Sequence, residues 1–81
     1  MERLSIDISL KVLSKSLGEK VLVKLRNGKT LRGFLQGYDQ HMNLVLEEAE
    51  EIIDDENTNK LGSIVIRGDN IIMISPLLVK K

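Results

Sequence analysis

The sequence predicts a mostly β protein: one N-terminal α-helix followed by a strongly bent, five-stranded antiparallel sheet that forms a small open barrel. Three observations predict it. The apolar period changes from helical to alternating at Gly18. A hairpin signal, Asn27-Gly28, is followed by a strand that carries Gly33 and Gly37 inside it. The last two strands are apolar at consecutive positions.

The helix is expected over the first 18 residues. Ile6, Leu10, Leu13 and Leu17 fall on one stripe. Ser5 or Asp7 is placed to accept an orphan N–H at its start, and Gly18 to end it in the left-handed conformation. From Val21 the pattern alternates through Val23 and Leu25, which indicates a strand. Asn27-Gly28 tolerates positive φ and turns the chain. Thr30 to Tyr38 returns, with glycines that allow the bend a closed barrel needs. Phe34 reads as core. After the polar break at Asp39–Asn43, Leu44 to Ile53 forms the third strand and Asp54 to Lys60 a polar loop. Leu61 to Ile66 is the fourth strand, Arg67–Asn70 a tight turn, and Ile71 to Ser75 the fifth. Pro76 lacks a donor and should end the ladder.

Ile64-Val65-Ile66 and Ile71-Ile72-Met73-Ile74 do not alternate. Strands of this kind are covered on both faces, and 81 residues leave little to cover an outer face. Another copy of the chain is the simplest cover, through edge-to-edge strand pairing. A domain this small buries only about 60–65% of the surface its unfolded chain exposes, so association also adds stability.

Residues 1–81 are read as a single domain. There is no cysteine, which fits a reducing cytoplasm and removes disulfide and thiolate–metal staples. No apolar run reaches the length of a membrane span. Twelve basic side chains balance twelve acidic ones, which excludes a uniformly basic nucleic-acid coat. The charge is nonetheless segregated. Residues 47–59 carry seven acidic groups and no basic one, while residues 1–46 carry eight basic groups against four acidic. A polyanion has to be met away from the acidic stretch. That stretch lacks the ligand spacing and central glycine of a calcium loop and reads as a solvated face. Lys11, Lys15, Lys20 and Lys24 read either as a basic surface for a nucleic acid or as solubilising, the second being slightly favoured. No cofactor site is expected.

Two polar turns hold the chemistry-bearing residues. One contains Asp39, His41, Met42 and Asn43, the other Arg67, Gly68 and Asp69. Catalysis finds little support: there is one histidine, no cysteine and no ordered nucleophile–base pair. Taken singly, His41 is a turn histidine, Arg67 a strand-end cation and Asp39 a turn residue that accepts a local backbone hydrogen bond. Met42 is expected to pack inward.

The chain from Leu17 to Glu47 resembles the first motif of the Sm and Sm-like (LSm) family, through Gly18, Asn27-Gly28, Gly33, Asp39 and Met42-Asn43. Leu61-Gly62 through Arg67-Gly68-Asp69-Asn70 resembles the second. The short acidic loop is most similar to archaeal Sm-like proteins. The resemblance implies a ring, usually of seven copies, joined through the fourth and fifth strands. It implies a central pore where each copy holds one uracil of single-stranded uridine-rich RNA. Carried to matching positions, His41 and Arg67 sandwich the base, Asn43 bonds its edge and Asp69 supports Asn43 or the sugar. Asp39, Met42 and Gly68 support the pocket.

These residue types suit that task. Imidazole and guanidinium are planar and stack on bases. An amide offers a donor side and an acceptor side, which matches the mixed edge of uracil. Asp69, which only accepts, would fix the direction of the amide. Only Phe34 and Tyr38 are aromatic, so stacking falls mainly to His41 and Arg67, with Tyr38 able to assist. The competing reading is a structural ring or adaptor whose acidic face recruits protein partners of RNA-processing complexes.

Overall fold

The computed structural model describes residues 10–77. A helix, α1, covers residues 10–16 of that span. Five strands follow: β1 (Lys20–Leu25), β2 (Thr30–Tyr38), β3 (Leu44–Ile52), β4 (Thr58–Ile66) and β5 (Ile71–Pro76). They form one sheet in the order β4-β3-β2-β1-β5, and every adjacent pair is antiparallel. The two strands that end the sheet are therefore the two apolar ones. The expected start of α1, with Ile6 and the caps Ser5 or Asp7, lies outside the described residues.

Alternation sets the inner face. Val21 and Val23 of β1, Leu31 and Leu35 of β2, and Leu44 and Leu46 of β3 are buried, and Leu13 of α1 closes over them. Ile66 of β4 and Ala49 of β3 complete this core. Gly33 sits in the inward row because β3 crosses close behind it. A Cβ there would lie 3.0 Å from Ala49 Cα and 3.2 Å from the Glu47 carbonyl oxygen. The sheet bends at the same place. The β2–β3 register shifts between Arg32 and Phe34, and the β3–β4 register shifts between Leu46 and Ala49. Glu48, at φ 51°, takes up the extra residue in β3.

Several expectations need correction. Leu17 is 46% exposed, because the helix has ended at Ser16 and Leu17 lies in the turn before Gly18. Gly18 itself is left-handed, at φ 81°. Phe34 is not core. It lies one step out of phase with Leu31, Gly33 and Leu35 and faces outward, with Lys20 Nζ 5.2 Å from its ring centroid. Of the Asn27-Gly28 pair only Gly28 has positive φ, at 91°. Its amide donates to Leu25 O, and Asn27 Oδ1 accepts Lys29 N–H, so the loop is a tight turn closed by a left-handed glycine. Strand β4 begins at Thr58, three residues earlier than expected, since polar residues pair as readily as apolar ones on an exposed edge. Strand β5 includes Pro76, and Leu77 N–H still reaches Lys20 O.

Among the described residues nothing covers the edge strands. Val65 is 70% exposed, Ile72 60% and Met73 46%.

Candidate functional site

The turn between β2 and β3 is built around the Asp39 carboxylate. Oδ1 accepts the backbone N–H groups of His41 (2.8 Å) and Asn43 (3.1 Å), and Oδ2 accepts from Asn43 Nδ2 (3.0 Å). The backbone closes the same turn, with Met42 N–H donating to Asp39 O and Asp39 N–H to Asn43 O. Met42 adopts φ 68° and rests against the core. Hydrogen bonds to the ionised carboxylate, first of all that from the Asn43 side chain, hold Asp39 below its ordinary pKa of 3.8.

The second turn, between β4 and β5, is a short 3-10 segment (Gly68–Asn70) with no side-chain cap of its own. It is tied to the first by one bond: Gly68 N–H donates to Asn43 Oδ1 at 2.8 Å. Gly68 is required by the closeness of this approach. A Cβ there would strike the His41 carbonyl oxygen and lie 2.9 Å from the Met42 carbonyl carbon. Arg67 Nη2 lies 3.4 Å from Asp69 Oδ2, and both side chains are largely exposed.

His41, Asn43, Arg67 and Asp69 thus line one concavity of about 1170 Å3, although 25 positions separate Asn43 from Gly68. Asp39, Met42 and Gly68 border it too. One expectation is corrected. Asp39, not Asp69, orients the Asn43 amide, because Asp39 shares its turn while the Asp69 carboxylate faces Arg67. Among the described residues each polar atom of the amide has one partner, which leaves a second N–H and a second lone pair for a ligand.

Tyr38, offered by the sequence as a stacking aid, also lines the concavity, whereas Val45 and Val65 carried no signal as site residues. Val45 and Val65 are register partners and add an apolar wall. The alternation around Val45 points it outward, but its pairing with Val65 is a tertiary fact. Arg26, at the end of β1, donates from Nε to Asp69 O at 2.7 Å, across 43 positions. The described residues contain no cluster of His, Cys, Asp or Glu suited to a metal, and no helix long and apolar enough to cross a membrane.

A small bent antiparallel sheet with two bare edges, and two polar turns stitched together at one end, defines an Sm-type domain. Comparison with known proteins agrees. The LSM domain model matches residues 11–76. An snRNP Sm-like protein of Methanococcoides burtonii is 52% identical over 67 residues, 83% of this chain and 93% of its own length. One from Archaeoglobus fulgidus is 54% identical, over 83% of this chain and 87% of its own length. Among solved structures, a heptameric archaeal Sm protein superposes with TM-score 0.79 at 51% identity, covering 84% of this chain and 98% of its own. The Pyrococcus abyssii Sm protein in complex with a uridine heptamer superposes with TM-score 0.77 at 52% identity, covering 83% and 94%. The chain belongs to the LSM-domain, or Sm-like, family.

Proposed function

We propose that this chain, one Sm-like domain over residues 1–81, is the RNA-binding subunit of a ring of seven identical copies. The ring holds single-stranded uridine-rich RNA in its pore and serves RNA processing, chaperoning or protection in the cytoplasm, without catalysis. The observation that carries the reading is the Asn43–Gly68 bond, which brings a planar cation and an imidazole to one concavity around an amide with free bonding capacity. His41 and Arg67 stack on the two faces of the uracil. Asn43 reads its edge, and Asp69 restrains Arg67 beside the sugar. Stacking contributes about 1–3 kcal/mol per base but does not tell bases apart, so the preference for uracil rests on Asn43. One RNA strand threading equivalent pockets makes later contacts intramolecular, and affinity rises steeply with length.

The bare edges of β4 and β5 support the ring. Among the described residues each presents unpaired backbone groups beside exposed Val65, Ile72 or Met73, and pairing β4 of one copy with β5 of the next satisfies both. A solved relative is heptameric and another is bound to a uridine heptamer, which supports ring size and ligand alike.

The test is fluorescence binding of oligouridine, oligocytidine and oligoadenine. The wild type should favour uridine. Arg67→Ala should weaken oligouridine binding at every salt concentration, and Asn43→Ala should narrow the gap between uridine and cytidine. Wild-type behaviour in both variants would remove the pocket assignment. Light scattering that found only a 9.1 kDa species at micromolar concentration would remove the ring.

A further inference from the structure

The Arg67–Asn70 turn is held from two sides. On one side Asn43 accepts the Gly68 N–H. On the other stands Arg26, which leaves the end of β1 just before the Asn27-Gly28 loop. Its backbone N–H donates to Asn70 O at 2.8 Å, and its Nε donates to Asp69 O at 2.7 Å. One residue therefore holds two consecutive carbonyls of the turn. Inside the turn Asn70 N–H returns to Arg67 O, which closes the segment between the two clamps.

The side chains that this turn carries are weakly held. Arg67 is 77% exposed and Asp69 68%, and their polar contact among the described residues is with each other at 3.4 Å. Two such side chains inherit their direction from the backbone beneath them. Asn43 sets the first half of that backbone, and Arg26 sets the second.

We propose that Arg26 is a positioning residue for the RNA pocket: by clamping the Asp69 and Asn70 carbonyls it sets the direction of Arg67 and Asp69. The inference rests on the uracil-pocket reading above and adds a residue from a third segment, the β1–β2 turn, to it. The clamp lies on the surface, so water replaces the Nε bond when the side chain is removed and stability hardly changes. Affinity does change. A turn that spends only part of its time in the binding conformation weakens the apparent affinity by that fraction. Lysine does not substitute, because its only donor is a flexible terminal ammonium, whereas Nε is a fixed planar donor partway along the chain.

The experiment measures binding of uridine monophosphate and of oligouridine to the assembled wild type, Arg26→Ala, Arg26→Lys and Arg67→Ala. Arg26→Ala and Arg26→Lys should both lose about tenfold in affinity for the mononucleotide, the scale of ordering one backbone residue. Their melting temperatures and the salt slope for oligouridine should match the wild type. If Arg26→Lys restores binding while Arg26→Ala lowers the salt slope by about one, Arg26 contacts a phosphate and positioning is overturned. A large fall in melting temperature in Arg26→Ala makes its role structural and overturns it as well. If Arg67→Ala loses binding while both Arg26 variants bind like wild type, the pocket stands and this inference alone fails. If Arg67→Ala also binds like wild type, the pocket reading fails and takes the inference with it.

Discussion

Two turns of this molecule use the same local chemistry and end in different places. Asp39–Asn43 joins β2 to β3, and Asp54–Asn57 lies between β3 and β4. In each, an aspartate accepts backbone N–H groups two and three or four residues on and also binds the side-chain amide of a following asparagine. Each carboxyl is held below 3.8, first by that asparagine amide. The difference lies in the far side of the amide. Asn57 turns back on Asp54, with Nδ2 3.0 Å from both carboxylate oxygens. Asn43 gives its Nδ2 to Asp39 and uses its oxygen to take the Gly68 amide from the turn between β4 and β5, two strands that do not pair with each other. One turn is closed on itself, and the other is a junction. A site needs side chains from separate segments held in fixed relation, and only the junction supplies that.

The sharpest way to break the junction is Gly68→Ala. The glycine does not have positive φ, so the obstacle is steric: the new methyl meets the backbone of His41 and Met42, which cannot swing away. Overpacking of this kind costs roughly 1–3 kcal/mol, so the melting temperature should fall and oligouridine binding should be lost. An alanine variant with wild-type melting and binding would mean that the turns do not meet as closely as the Asn43–Gly68 bond requires.

Next in size is the pair Asn43→Ala and Asn57→Ala. Removing Asn43 strands a partly buried Gly68 N–H, at about 1–3 kcal/mol. Removing Asn57 opens only an exposed turn, and surface changes of that kind stay within about 0.5 kcal/mol. Denaturant unfolding of the two variants measures the contrast directly. Equal losses would show that the bridge to Gly68 adds nothing beyond the shared local motif.

The smallest effect is in acid. Both aspartates have lowered folded pKa values, so their contribution to stability is present above about 3.8 and is lost as pH falls through the lowered values. Both are fully exposed, and the loss is modest. The informative readout is spatial. In an NMR pH titration the Gly68 amide should move with Asp39, whereas the Asp54 titration should stay confined to residues 53–57. A Gly68 resonance indifferent to Asp39 would uncouple the turns.

Much of this was legible residue by residue. The switch of period at Gly18, the glycine of the β1–β2 loop, the limits of β2 and the turn at Arg67–Asn70 each have a local cause, and each lies where that cause predicts. The misplacements also have local causes. Leu17 continues the apolar stripe on paper, but the helix has stopped one residue before it. Phe34 is apolar and stands beside a glycine, yet the strand's alternation turns it outward to Lys20. Glu48 takes the bulge although no residue type marks it, because the need for an extra residue arises from how β3 crosses Gly33. The four candidate pocket residues came from the resemblance to the family's motifs rather than from local chemistry; of the two supports that resemblance offered Asp69, the Asn43 amide is taken by Asp39, because two acids competed for one amide and sequence order does not rank them.

Short-range chemistry was enough to set the number of strands, their order along the chain, the apolar runs and the identity of the polar turns, since each depends on a residue and its near neighbours. The juxtaposition of those turns was decided by the fold. Whether Asn43 reaches Gly68, Arg26 reaches Asp69 or Val45 faces Val65 depends on the register of strands distant in the chain. A shift of one residue in that register turns every side chain to the other face, so these contacts exist only once the sheet has formed in register.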